Sequence, residues 1–319
     1  MRNNILKSII STKYIQNIIR EKYNLIDIED VILVKTEIND IYKIATKNKS
    51  TYILKIYSME KQLNDLKFEI DYIFYLIKKQ LLVPCLIKSI ENLYYIFIEY
   101  PEGKRLAILM EYIPGVKIQY NFSSASALGK NIAKLHSLSD LFNNSMLDMR
   151  EYNVLKILND SKIIIDKFVM NYYAKYSSEF YNIFHSLEIL KEIKFTKRYC
   201  HNDLHSDNII IYNKKIYILD FDFIGFGCAL YDLAVFKWSC ILNKRTDIWN
   251  DFLKNYQNAS PILDNEIRYI DFFVIARDII TTAIYINKIN CIGSRFVNET
   301  FITKRIKFIK SILNCCKRR

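Results

Sequence analysis

Across residues 31–57 apolar and polar side chains alternate in three runs, VILVKTE, DIYKIAT and TYILKIY, separated by short polar turns. A period of two belongs to half-buried strands, so this stretch predicts three strands in succession. The period then lengthens. From about 60 to 79 the apolar Leu66, Ile70, Ile73, Phe74 and Ile77 share one face of a helix. Two further strands, LYYIFIEY and RLAILMEYI, flank the turn Pro101-Glu102-Gly103-Lys104. Beyond Pro114-Gly115 the period is helical in SSASALGKNIAKLHSL, ALYDLAVFKWSCIL and NEIRYIDFFVIARDIITTAIYI. The exception is a predicted hairpin, with strands 209–212 and 216–219 joined by Asn213-Lys214-Lys215. The pattern predicts an α+β chain: a β-rich part over 1–113 with one helix, and a larger, mainly helical part over 114–319, with Pro114-Gly115 as the hinge.

Composition narrows this picture. With 319 residues, 51% of them apolar, the chain can bury a substantial core. No apolar run reaches the ~18 residues of a membrane span, and residues 1–11 lack the cleavage site of a secretory signal. The expectation is a cytoplasmic protein. Seven scattered cysteines without a C-x-x-C pair suggest a reducing compartment, not a disulfide framework or a zinc site. Cys315-Cys316 before Lys317-Arg318-Arg319 has neither the ending nor the amphipathic helix of a lipid anchor, and reads as an ordinary tail.

The net charge of +12 raises the question of nucleic acid. Seven of the basic residues lie in 304–319, where no acid offsets them, so the excess is concentrated at one end. Such a run reads as a solvated helix face, and no nucleic-acid motif accompanies it.

The candidate chemistry lies in residues 200–227, CHNDLHSDNIIIYNKKIYILDFDFIGFG. Two of the chain's four histidines and five of its acids or amides precede the hairpin or follow it: His201, Asp203, His205, Asp207, Asn208, Asp220 and Asp222. A polar loop H-x-D-x-x-x-x-N, a hairpin, and then an aspartate before an aromatic is the order of a kinase catalytic loop and metal loop. A carboxylate can accept a hydroxyl proton; an asparagine offers magnesium a neutral oxygen; a second carboxylate can bridge metal and phosphate. A rival reading takes His201, Asp203, His205 and Asp207 as alternating metal ligands on one strand face, although they precede the β-rich run.

HNDLHSDN, with ILDFD and the following YDLA, resembles the aminoglycoside phosphotransferase and choline kinase-like superfamily, whose fold is that of protein kinases. The specific motifs cover 200–235, and the rest of the chain can be laid out accordingly. The resemblance implies a two-lobed fold, with a small β-rich N-lobe and a larger helical C-lobe. It implies Asp203 as catalytic base, His201 as the residue that fixes the loop, and Asn208 and Asp220 as magnesium ligands. Asp222 stands where it can serve metal or substrate. Asp232 in YDLA is expected to bond back to the catalytic loop, and His136 to serve packing. In the β-rich part Lys55 matches the lysine that grips the nucleotide phosphates, with Glu69 as its ion-pair partner and Asp65 and Asp71 as the competitors. Glu111, Tyr112 and Ile113 would form the hinge against adenine, the last two through backbone groups.

The implied activity is ATP- and Mg²⁺-dependent transfer of the γ-phosphate to a hydroxyl of a small molecule. An aminoglycoside-type antibiotic is slightly favoured as acceptor; choline, ethanolamine or homoserine is the alternative, with Arg277 as the candidate for the homoserine carboxylate. Two other classes stay open: a protein side chain as acceptor, and a nucleotide-binding pseudokinase regulator. For the last, the evidence is the loop KTEIND, which lacks the glycines expected over the phosphates. Oligomeric state is not legible.

Overall fold

The computed structural model describes residues 5–142, 150–262 and 264–316, the side chains of residues 264, 291 and 292 excepted. The chain divides into two compact units, Met1–Val116 with Ile210–Asp222, and Lys117–Ile209 with Phe223–Arg319.

The first unit opens with helix α1 (Thr12–Tyr23), which the alternation did not predict. The Ser11 side chain caps it, accepting from the Tyr14 amide, and Asn24 ends it in the left-handed region. The strands β1 (Ile28–Thr36), β2 (Asp40–Thr46) and β3 (Thr51–Ile56) follow, then helix α2 (Leu63–Lys78), β4 (Leu86–Ile87), β5 (Ile96–Tyr100) and β6 (Gly103–Glu111). They form one antiparallel sheet in the order β1-β2-β3-β6-β4, with β5 also on β6. The strict alternation of β2 places Tyr42 and Ile44 in the core with Leu54, Ile56, Ile98 and Leu109, against Ile15 and Ile19 of α1. Strand β6 is buried on both faces from Arg105 to Leu109, which explains its unbroken apolar run.

Beyond β6 the short β7 (Val116–Lys117) follows Gly115, where a Cβ would lie 2.4 Å from Ile210 Cγ2 and 2.5 Å from the Ile211 carbonyl oxygen. Only glycine lets these backbones approach so closely.

The second unit begins with α3 (Phe122–Ser139), capped by Asn121, then α4 (Val154–Tyr172), capped by Asn153, and α5 (Ser177–Ser186). Strand β8 (Lys197–Cys200) leads into the 201–208 loop; the hairpin strands that follow in sequence, β9 (Ile209–Tyr212) and β10 (Lys215–Ile218), belong from Ile210 onward to the first unit. Asn213 and Lys214 both have positive φ, 49° and 61°, so the turn has two residues and Lys215 belongs to the strand. That is the mirror-image turn whose twist matches paired strands.

After β11 (Gly225–Cys228), which pairs with β8, come α6 (Ala229–Leu242), α7 (Trp249–Gln257), α8 (Asp264–Ile267), α9 (Ile270–Asn287), α10 (Ile289–Ile292) and α11 (Glu299–Cys316). Helix α9 packs against α4, α6 and α11. Helix α3 crosses α7 at Gly129, where a Cβ would lie 2.3 Å from the Phe252 carbonyl oxygen.

Two expectations need correcting. The long helix expected over 265–286 is two, broken at Arg268–Tyr269, where Tyr269 N bonds Glu266 O while the buried Glu266 carboxylate holds Thr196. Cys315 and Cys316, expected in a tail without an amphipathic helix, end α11, whose apolar Ile302, Ile306, Ile309 and Ile312 are buried, while Lys304, Lys307 and Lys310 of the basic run are exposed on it as expected. Lys317, Arg318 and Arg319 lie outside the described residues.

Candidate active site

Two clusters gather the residues singled out above, one in each unit. In the first, Lys55 projects from β3 with 4% of its side chain exposed, and its Nζ lies 2.6 Å from Asp220 Oδ1, 3.6 Å from Glu69 Oε1 and 4.0 Å from Asp222 Oδ2. Burial opposes its charge, but Asp220, Glu69 and Asp222 outweigh burial and hold its pKa above that of an ordinary lysine. Glu69 comes from the buried side of α2, beside Tyr72 and Leu76. Its Oε1 accepts from the Tyr57 hydroxyl at 2.7 Å and its Oε2 lies 2.7 Å from Lys61 Nζ. Burial pushes the Glu69 carboxyl up, yet Lys55 and Lys61 together keep it below the usual range.

Lys61 was missed. It lies between β3 and α2 and bonds Asp222 Oδ1 as well, also at 2.7 Å. Nothing in the local sequence distinguishes it from the other lysines of a lysine-rich chain.

Asp220 ends the hairpin with φ +63°, in the left-handed region that aspartate and asparagine enter more readily than most non-glycine residues. Its carboxylate is 38% exposed and only Oδ1 faces Lys55. Asp222, at 10% exposure, is committed on both oxygens: Oδ1 to Lys61 and Oδ2 to Asn39 Nδ2 at 2.8 Å. Burial opposes its ionisation, and Lys55 and Lys61 reverse that, holding the carboxyl well below the usual range. At the hinge the Tyr112 amide donates to Thr51 O, and Gly115 N donates to Ile113 O. Among the described residues the Ile113 amide has no protein acceptor, and the Glu111 amide donates to Cys85 O.

In the second unit the loop after β8 is fastened from beneath. Asp232, in the first turn of α6, accepts from the His201 amide at 2.8 Å, from the Asn202 amide at 2.5 Å and from His136 Nε2 at 2.9 Å. His136 in turn bonds the Tyr256 hydroxyl through Nδ1. Asn202 has φ +65°, which asparagine tolerates better than most residues, and its Nδ2 donates to Cys200 O and Phe223 O. His201 is fully buried and its Nδ1 accepts from the Asp203 amide at 3.2 Å. His136, Cys200 and Asp232 come within metal-cluster distance of one another, but these hydrogen bonds already employ the histidine and the carboxylate.

The Asp203 carboxylate sits on this loop. Arg277 Nη2, from α9, lies 2.5 Å from Oδ1, while Asn208 Nδ2 donates to Oδ2 at 3.1 Å and His205 Nε2 lies 3.3 Å from it. Burial raises the carboxyl pKa, but Arg277 and then His205 more than cancel this, and Asp203 stays well below the usual carboxylate range. The Arg277 guanidinium also lies over the Trp238 ring, 5.3 Å from its centroid. Asn208 spends its amide nitrogen on Asp203, which leaves its carbonyl oxygen as the atom available to a cation.

The strand-face metal reading fails on this geometry. Ser206–Asn208 is a 3₁₀ turn, His205 Nδ1 accepts from the Asp207 amide, and the Asp207 carboxylate pairs with Lys117 at 2.6 Å.

The model of the Phosphotransferase enzyme family matches residues 33–261. An uncharacterized protein of Deinococcus radiodurans is 22% identical over 292 residues, covering 85% of this chain and 81% of that protein. Among solved structures, amicoumacin kinase hAmiN in complex with AMP-PNP, Ca²⁺ and Ami aligns with a TM-score of 0.75 and 18% identity, over 95% of this chain and 93% of that one. The choline kinase LicA from Streptococcus pneumoniae aligns with a TM-score of 0.68 and 19% identity, over 95% and 98%. These likenesses show a shared protein-kinase-like fold, an antiparallel β unit with a mainly helical one.

Proposed function

Because the chain belongs to the Phosphotransferase enzyme family, we propose that it transfers the γ-phosphate of Mg·ATP to a hydroxyl of a small molecule. The observation that carries this reading is Lys55, a buried ammonium 2.6 Å from Asp220 and 3.6 Å from Glu69. A cation so enclosed is held ready for a polyanion, because the surrounding carboxylates fix its direction and keep it charged.

In this reading Lys55 grips the nucleotide phosphates, Glu69 orients it, and the Ile113 amide is the donor offered to adenine. Magnesium would supply neutralisation of the phosphate charge. The residues that fit it are Asp220, through the carboxylate oxygen that Lys55 does not take, and Asn208, through its carbonyl oxygen. Asp203 accepts the hydroxyl proton. Its low basicity is compatible with the task, since phosphoryl transfer asks more of positioning than of proton abstraction. Arg277 and Asn208 fix that carboxylate from two sides, and His201 and Asp232 fix the loop beneath it.

For the acceptor, the arginine weighs against a simple polycation site, because Arg277 neutralises the carboxylate of Asp203 and covers the Trp238 ring. An aminoglycoside-type antibiotic remains the first acceptor to test. Homoserine, which brings a carboxylate for Arg277, is the second reading on this observation, ahead of choline or ethanolamine, whose ammonium would want the indole face.

The test is Mg·ATP consumption by the purified protein against these acceptors, repeated with Asp203→Asn. One acceptor should stimulate turnover, and the variant should lose about 10³-fold or more in kcat with little change in ATP affinity. ATP binding without turnover on any acceptor would favour the nucleotide-binding regulator, and absence of ATP binding would overturn the kinase reading; unchanged activity in the variant would remove Asp203 as the base.

A further inference from the structure

The connection between β1 and β2, Glu37–Asn39, contains no glycine, and none of its residues takes positive φ. It therefore lacks the left-handed residues from which backbone amides build an anion-binding nest. Its order comes from side chains instead. Asn39 Oδ1 accepts from the Ser58 amide at 3.1 Å, and Asn39 Nδ2 donates to Asp222 Oδ2 at 2.8 Å. The other oxygen of Asp222 is bonded to Lys61, which also reaches the Asp222 carbonyl oxygen at 3.3 Å and Glu69 Oε2 at 2.7 Å. The chain of contacts thus runs from loop to aspartate to lysine to α2, within one compact unit.

We infer that Asn39, Asp222 and Lys61 form a strut that positions the glycine-free loop, and that Asp222 serves this strut and is not a metal ligand. The inference rests on the kinase reading only for its bearing on nucleotide and metal. Asp220 and Asp222 differ in the way the inference requires: the first is 38% exposed with one oxygen engaged by Lys55, the second 10% exposed with both oxygens engaged. A metal at Asp222 would have to share oxygens that already accept from Asn39 and Lys61, and would be repelled by the Lys61 ammonium 2.7 Å from Oδ1. Lys61 bonds Glu69 Oε2 and Asp222 Oδ1, each at 2.7 Å, and so ties the two carboxylates together. Asn39 and Lys61 are positioning residues in this account.

Three measurements test it. Amide hydrogen exchange on the nucleotide-free protein examines the strut directly: Asn39→Ala should speed exchange at Glu37 and Ser58 about tenfold or more, the equivalent of one or two hydrogen bonds, and leave α2 unchanged. ADP affinity in EDTA should fall about tenfold in the same variant, because the strut contains no metal. Manganese binding to the ADP-loaded protein, followed by electron paramagnetic resonance, should be lost in Asp220→Asn and kept in Asp222→Asn. Asn39→Ala alters a half-buried loop residue and keeps the exchange arm readable should Asp222→Asn fail to fold. Unchanged exchange in Asn39→Ala overturns the strut, and loss of manganese in folded Asp222→Asn makes Asp222 a ligand. A wild-type protein that binds neither ADP nor manganese would sink the kinase reading, while the strut would still stand or fall by exchange.

Discussion

Lys55 shows how a single residue ties stability to chemistry. Its ammonium is enclosed with Asp220, Glu69 and Asp222, and removing it leaves Glu69 a buried carboxylate with Lys61 as its remaining cation. Lys55→Met should therefore lower stability by about 3 kcal/mol in urea titrations, as for one partner taken from a buried ion pair. The pH dependence has a definite sign. Glu69 is held below its ordinary pKa, so its contribution is present above about pH 4.3, the unfolded value, and is lost as pH falls through the folded one. In Lys55→Met the folded value rises, and urea midpoints measured across about pH 3 to 7 should begin to fall at a higher pH than in the wild type. Which side chains gather was largely legible beforehand, because residues 201–208 and 220–222 stand at the fixed spacing of a motif. Lys61 was not, since its role comes from two carboxylates 8 and 161 residues away.

Among the elements, the strands were read best, because their alternation survives wherever one face is solvated: β2 is buried at every second position. Helix α1 escaped notice for the converse reason. Its inward residues, Ile15, Ile19 and Tyr23, number three in a short polar helix and acquire meaning only against the sheet they cover. The break between α8 and α9 was equally silent, because the residues at the break suit a helix, and the contact beside it, Glu266 with Thr196, spans 70 residues of sequence. Two substitutions probe the local geometry. Lys214→Gly, at a turn residue with φ +61°, should stabilise the hairpin by about 0.5–1 kcal/mol in thermal or urea unfolding. Gly129→Ala should cost about 2 kcal/mol or more in the same assay, since α3 must move away from the Phe252 carbonyl.

At the scale of the whole molecule, the cysteines report on folding. Cys85 and Cys315 are exposed, whereas Cys200, Cys228 and Cys240 are buried, and burial pushes the thiols of Cys228 and Cys240 up to about 12. Iodoacetamide at pH ~8 should label Cys85 and Cys315 in the native protein and reach the three buried thiols only as it unfolds; mass spectrometry of digests along a urea series would show the two classes separate. Asp232 carries a further consequence for how the chain is made. The loop bearing Asp203 takes its shape from an aspartate 30 and 31 residues downstream of the two amides it receives, and His136, which binds the same carboxylate, bonds Tyr256 across 120 residues of sequence. During synthesis the loop leaves the ribosome before its anchor does. That loop is therefore a late product of translation, unformed in any nascent chain that stops short of α6.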